Sequence, residues 1–150
     1  MPSEPVGWSG KLPLIKLVQR PTVDMQGSIV ICVSPLVSLM MDQKAKFTPG
    51  GIKAEFVGEQ QTDSIAIKPV LSGAIELVYI SPESLLANTM FRNMLLSLNY
   101  KKKLVVFVVD EAHCVKCCNI RSLLPSHVNV MALTATATND TYKAVCQRLS

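Results

Sequence analysis

Five short, mostly apolar runs recur along the chain, at residues 28–33, 53–58, 75–80, 104–109 and 128–133. Several are rich in β-branched residues and show no polar alternation, which is typical of strands buried on both faces of a sheet. The segments at residues 36–47, 62–72, 83–98 and 139–149 are longer and more polar, and they predict helices. Strands that alternate with helices in this way favour an α/β fold, with a parallel sheet and helices on both faces.

The N-terminal segment, residues 1–27, has no clear periodicity and contains four of the nine prolines. We expect loop there, with at most a short helix at residues 11–18. A chain of 150 residues has room for one domain with a substantial core, and residues 28–150 are the predicted extent of that domain.

Composition narrows the class of protein further. Apolar residues make up 49% of the chain, charged residues 17%, and the net charge of +4 is compatible with a polyanionic partner. No apolar run approaches the roughly 20 residues that cross a bilayer, and the N-terminus lacks the layout of a signal peptide. We therefore expect no membrane partner.

The five cysteines are an odd number in a chain with a large core, which favours an intracellular protein over a secreted disulfide scaffold.

Unusual polar motifs follow four of the predicted strands. Open α/β sheets bind ligands at the carboxyl ends of their strands, so these motifs are expected to meet on one rim of the sheet. The residues concerned are Ser34, Pro35, Ser81, Pro82, Asp110, Glu111, Thr134 and Thr136. In two of the motifs a serine precedes a proline, and these are the residue types preferred at the N-cap and the first position of a helix.

The predicted strand at residues 104–109 ends abruptly in Asp110 and Glu111, with His113 two residues further on. An apolar strand that ends in two carboxylates has the layout of a Walker B element. One carboxylate then holds Mg²⁺ and the other orients or deprotonates the attacking water. Asp110 fits the first role and Glu111 the second, and His113 is placed to couple them to neighbouring groups. The alternative is that the two carboxylates only end the strand in a solvated turn.

Four segments resemble motifs of RecQ-type DNA helicases, which are DEAH-box members of superfamily 2, and they occur in the family's order. VSPLVSLMMDQ at 33–43, VYISPESLL at 78–86, VVDEAHCV at 108–115 and MALTATAT at 131–138 are similar to motifs Ia, Ib, II and III. The resemblance covers about residues 28–150 and implies most of a first RecA-like domain. The family unwinds duplex DNA in the 3′ to 5′ direction with ATP and Mg²⁺, and it serves DNA repair and recombination.

The resemblance implies catalytic and coupling roles for five residues. Asp110 would bind Mg²⁺ through water, and Glu111 would activate the attacking water. His113 would act with Thr134 and Thr136 to link the state of the nucleotide to DNA.

The resemblance also implies a DNA-binding side. The residues that would lie along it are Ser34, Pro35, Gln43, Ser81 and Pro82. The implied partner is single-stranded or forked DNA, bound without sequence preference, and other helicase or repair proteins are further candidates. In a eukaryote the expected location is the nucleus.

Two features depart from the family's pattern. The phosphate-binding loop, G-x-x-x-x-G-K-[ST], is absent, and in the nearest string, PVGWSGKLP at 5–13, Leu12 stands where the loop has its hydroxyl. The segment after His113 also lacks the family's aromatic residues, and these 150 residues do not include a second motor domain. We therefore expect an N-terminally incomplete RecA-like domain that is inactive alone, and whether it is an enzyme stays open. The alternative is a non-catalytic α/β module, derived from a helicase, that binds DNA or protein.

A metal site is a competing interpretation of the segment after the acidic pair. His113, Cys114, Cys117 and Cys118 offer four ligand types that zinc accepts. Adjacent Cys117 and Cys118 do not easily reach one ion, and no second C-x₂-C pair exists in the chain. We favour buried or incidental thiols over zinc.

Overall fold

The computed structural model describes residues 27–35, 37–47, 51–58, 64–110, 120–133, 139–140, 143 and 147. Within these residues five strands form one sheet: β1 (Ile29–Val33), β2 (Ala54–Val57), β3 (Leu77–Ile80), β4 (Leu104–Val109) and β5 (Asn129–Ala132). Their order across the sheet is β2-β3-β1-β4-β5, and each neighbouring pair is parallel. The prediction of a parallel α/β sheet is therefore confirmed.

Helical segments connect the strands, as parallel pairing requires. Their bounds are α1 (Val37–Phe47), α2 (Ser64–Ser72), α3 (Pro82–Ala87), α4 (Thr89–Leu96), α5 (Leu98–Lys103) and α6 (Ile120–Leu123). Helix α1 follows β1, α2 follows β2, and the three helices α3 to α5 together connect β3 to β4.

The core has two apolar layers, one on each face of the sheet. Strand side chains alternate between the layers, because successive residues of a strand point to opposite faces. Ile31 and Phe107 belong to the first layer, which residues of α2 to α6 cover. Cys32 and Val108 belong to the second layer, where Met40 of α1 is fully buried. Helices therefore lie on both faces, and the unbroken apolar runs of the sequence match strands buried on both sides.

The predicted helix at residues 83–98 is instead three short helices. Asn88 ends α3 and starts α4, because its side chain accepts a hydrogen bond from the Met90 backbone N–H at 3.0 Å. Ser97 separates α4 from α5 in the same way: its hydroxyl donates to the Met94 carbonyl and accepts from the Tyr100 N–H. Asn and Ser side chains can hydrogen-bond to nearby backbone groups in place of the helical hydrogen bonds. Here these hydrogen bonds interrupt the helix at both positions.

Other expectations differ in smaller ways. Helix α1 begins at Val37, so Ser34 and Pro35 precede it rather than cap and open it. Helix α6 was not predicted at all. The expected helix at residues 11–18 lies outside the described residues. Of the expected helix at 139–149, only 139, 140, 143 and 147 are described, and each is helical.

Candidate functional site at the carboxyl rim of the sheet

The residues that follow β1, β3 and β4 lie side by side at the carboxyl rim. The strand ladders continue one residue past their ends: the Ser34 N–H donates to the Ile80 carbonyl at 3.1 Å, and the Asp110 N–H donates to Val33 at 2.8 Å. The Ser81 N–H extends the ladder towards β2 by donating to the Val57 carbonyl at 3.0 Å. The structure thus brings Ser34, Ser81 and Asp110 together, as expected for polar motifs at the ends of parallel strands.

Asp110 is buried at this rim, with 7% of its surface exposed, and Ser34 is buried at 2%. The Ser34 hydroxyl donates to Asp110 Oδ2 across 3.5 Å, the long limit of a hydrogen bond. A contact of this length orients the carboxylate only weakly.

A layer of three side chains lies directly behind these polar groups. Cys32 is in register with Tyr79 on β3 and with Val108 on β4. Ser34, Ser81 and Asp110 each come two residues after one of these three. Because strand side chains alternate between faces, all six side chains belong to the same face of the sheet. Tyr79 and Cys32 are both 2% exposed. Burial is the main cause that raises the pKa of Tyr79, and electrostatic interactions with the neighbouring Cys32 and Asp110 raise it further. Tyr79 is therefore a neutral phenol at neutral pH.

Sequence reasoning missed Tyr79 and Cys32, because an aromatic residue or a cysteine inside an apolar strand indicates packing. One signal was available. Each stands two residues before a motif serine, and a two-residue step in a strand returns to the same face. Counting back from Ser81 and Ser34 would have placed Tyr79 and Cys32 behind the rim.

The Ser81–Pro82 motif starts α3 as predicted. The Ser81 hydroxyl accepts from the Ser84 N–H at 3.2 Å, and Ser81 Oγ donates to Ser84 Oγ at 2.8 Å. Pro82 is buried in the first helical position. Because the hydroxyl of Ser81 is engaged by Ser84, the contribution of this motif to the rim is mainly the shape of the turn. Pro35, on the neighbouring strand end, is half-buried.

The structure describes no side-chain positions for the remaining predicted site residues. Glu111, His113, Thr134 and Thr136 lie outside the described residues, and so do Cys114, Cys117 and Cys118 of the alternative metal site. Gln43 lies within α1, and its side chain is outside the described part of the chain.

The polar groups around Asp110 are suited to one mode of Mg²⁺ binding. Among the residues that the structure describes, no group of three or more His, Cys, Asp and Glu side chains is placed to hold a metal ion. Mg²⁺ needs no such group, since it keeps several waters and is usually held by one or two carboxylates together with substrate phosphates. Asp110, with the Ser34 hydroxyl beside it, fits that mode of binding and does not fit a cage built wholly of protein ligands.

Within the described residues, no helix is long and apolar enough to span a membrane.

A five-stranded parallel sheet, covered by helices on both faces and carrying a buried acidic residue at its carboxyl rim, defines a RecA-like α/β domain. The family model described as "DEAD/DEAH box helicase" matches residues 10–145, and the chain belongs to that family.

Relatives place the chain beside the RecQ helicases and confirm the resemblance. It is 30% identical to "ATP-dependent DNA helicase RecQ" of Pasteurella multocida (strain Pm70), over 88% of this chain and 22% of the relative. It is 37% identical to "ATP-dependent DNA helicase Q-like 5" of Arabidopsis thaliana, over 87% of this chain and 16% of the relative. The chain thus spans about a fifth of the length of these relatives.

Solved structures agree on the fold. The crystal structure of the DUF1998 helicase MrfA bound to DNA superimposes with a TM-score of 0.62 over 93% of this chain and 21% of that one. The sequence identity is 19%, so this likeness supports the RecA-like fold alone.

Proposed function

We propose that the chain is a RecQ-like helicase domain whose carboxyl rim binds the backbone of single-stranded DNA without sequence preference. The observation that carries the proposal is the meeting of Ser34, Ser81 and Asp110 on one rim, in a chain that belongs to the DEAD/DEAH box family. The DNA contacts proposed are Ser34, Pro35, Gln43, Ser81 and Pro82. The whole activity to which such a domain contributes is ATP-dependent, 3′ to 5′ unwinding of DNA.

The proposed chemistry assigns Mg²⁺, held through water, to Asp110. When bound with ATP, the ion would neutralise charge on the transferred phosphoryl group. The chain's own part is to keep the Asp110 carboxylate at the rim, beside the Ser34 hydroxyl. Glu111 is proposed to activate the attacking water, and His113, Thr134 and Thr136 to couple nucleotide to DNA. In a eukaryote we place the protein in the nucleus, with helicase or repair proteins as further partners.

A non-catalytic module that binds DNA or protein is the second candidate function. One observation favours it: the 150 residues contain no G-x-x-x-x-G-K-[ST] loop to hold the β- and γ-phosphates of a nucleotide. Both candidates predict DNA binding at the rim, and they differ in whether nucleotide changes it.

Fluorescence anisotropy of a labelled, unstructured oligonucleotide tests the shared rim. We expect a dissociation constant in the non-specific range of roughly 10⁻⁴ to 10⁻⁶ M at low salt, weakening steeply as salt is raised, because backbone contacts release counterions. Pro35→Glu adds a negative charge at a half-buried position between β1 and α1, and it should weaken binding about fivefold.

The matched control is Pro125→Glu, the same substitution at another half-buried proline. Pro125 precedes β5, so it lies at the amino ends of the strands, away from the carboxyl rim. It should bind like the unmodified chain. Equal losses in the two variants, or binding that salt does not affect, would refute the proposed rim.

A further inference from the structure

A cavity of about 420 Å³ lies beside the carboxyl rim, between the end of β2 and the helices α2, α3 and α4. Its size is within the range of roughly 300–1,000 Å³ that is usual for small-molecule sites. Nothing in the proposed rim chemistry uses it. Ser84 connects the two regions, because it lines the cavity and is also hydrogen-bonded to Ser81.

The cavity combines apolar walls with a polar edge. Val57 at the end of β2 and Phe91 of α4 supply apolar surface, and both are almost fully buried. The polar edge includes Glu83 and Asn88, which are exposed at the two ends of α3. A ligand that fits has an apolar face and hydrogen-bonding groups on its edge.

The two polar side chains offer an acceptor and a donor. The Oδ1 of Asn88 accepts from the Met90 N–H at 3.0 Å, which fixes the amide and leaves its Nδ2 without a partner in the part of the chain that the structure describes. The Glu83 carboxylate only accepts, and it makes no hydrogen bond or ion pair within that same part. Nucleobases present such a complementary edge, because each places an N–H donor next to a nitrogen or oxygen acceptor.

We infer that this cavity receives one unstacked nucleobase of the bound strand. The inference rests on the proposed function, since the strand must first lie along the rim. The base would pack between apolar side chains and be read along its edge, as extruded bases are in other protein pockets. The negative charge of Glu83 disfavours a phosphate in the same place, which separates the base pocket from the backbone track.

The first experiment compares three labelled oligonucleotides of equal length at low salt: oligo-dC, oligo-dT and an abasic strand. We expect oligo-dC and oligo-dT each to bind about fivefold more tightly than the abasic strand. Ala87→Leu places a larger side chain in the cavity and should remove that preference. Asn93→Leu makes a similar change at an exposed position of α4 that does not line the cavity, and it should keep the preference.

Glu83→Gln gives a sharper signature. It removes a negative charge beside the rim, so all three strands should bind as well as before or better, while the advantage of oligo-dC and oligo-dT over the abasic strand falls. Loss of affinity for all strands together would instead show that Glu83 supports the fold. Equal, salt-dependent binding of the three strands to the unmodified chain would overturn the base pocket and leave the rim intact.

A titration with free 2′-deoxycytidine separates the two proposals. The nucleoside has no phosphate, so it tests the cavity alone, and the side-chain amide resonances of Asn88 should shift on binding. If they shift while no oligonucleotide binds, the base pocket stands and the DNA-binding rim is wrong. If oligonucleotides bind and the amide does not shift, the base pocket is wrong.

Discussion

At the scale of single residues, two buried tyrosines tie the stability of the fold to alkaline pH. Tyr79 and Tyr100 are at most 2% exposed, and burial raises the pKa of each. Tyr100 also donates a hydrogen bond from its hydroxyl to the Val70 carbonyl, which only the protonated form can do. A folded pKa above the unfolded value of about 10 means that the neutral form stabilises the fold fully below pH 10. That stabilisation is lost as the pH rises towards the folded pKa.

We predict that the free energy of unfolding falls progressively above pH 10. The tyrosinate absorbance of Tyr79 and Tyr100 should appear together with loss of the helical circular dichroism signal. Replacing both by phenylalanine removes the ionisable groups, so the double variant should lose less stability between pH 10 and pH 12. Reversible ionisation of both residues near pH 10, in a chain that keeps its circular dichroism, would contradict the prediction.

At the scale of elements, the end of α2 depends on a glycine. Gly73 follows α2 with φ of +74°, and a Cβ there would lie 2.6 Å from Asn99 Nδ2. Asn99 itself donates to the Ser72 carbonyl at 2.6 Å, so the side chain that would clash also helps to end the helix. Two costs are therefore joined at this position, the left-handed backbone and the close approach of α5.

Gly51 separates these two costs. Its φ is +79°, and a Cβ there would meet no atom within 4 Å. We predict that Gly51→Ala lowers the free energy of unfolding by about 1 kcal/mol, the cost of the left-handed backbone alone. Gly73→Ala should lower it by about 2 kcal/mol or more, because Asn99 must also move and lose its bond to Ser72. Chemical denaturation gives both values. In the Asn99→Ala background the difference between the two glycines should shrink, and an unchanged difference would rule out the clash.

The helices and strands also show how much of the fold can be predicted from the sequence alone. The strands were predictable because continuous apolar runs such as LVVFVV have few solutions other than burial between two layers of helices. The break in the helix at residues 83–98 was not predictable from periodicity, since Asn88 and Ser97 are tolerated within helices and act as caps only when their side chains bond to nearby backbone. In the site, Ser34, Ser81 and Asp110 were found because polar groups at strand ends are unusual. Tyr79 was missed because its polar atom is hidden within an apolar pattern.

At the scale of the whole molecule, the chain combines a RecA-like sheet with a sequence that lacks the family's phosphate-binding loop. In such loops, backbone N–H groups and a lysine hold the phosphates, and the metal ion bridges them to the acidic strand end. Asp110 can contribute to the metal, but a carboxylate attracts the nucleotide only through an ion that the phosphates themselves help to hold. The proposed rim would therefore supply the acidic part of a nucleotide site, and the 150 residues contain no G-x-x-x-x-G-K-[ST] loop to supply the basic part.

We predict that the 150-residue chain binds ATP–Mg²⁺ with a dissociation constant above about 1 mM, equivalent to less than about 4 kcal/mol of binding free energy. Isothermal titration calorimetry of ATP into the chain, in excess Mg²⁺, measures this directly. Asp110→Asn keeps an acceptor for the Ser34 hydroxyl and removes the charge that would hold the ion. Because Asp110 alone attracts the nucleotide only weakly, this substitution should leave the small heats of binding unchanged. Micromolar affinity in the unmodified chain, abolished by Asp110→Asn, would show that another part of the chain supplies the missing phosphate contacts. That result would favour the enzyme over the non-catalytic module.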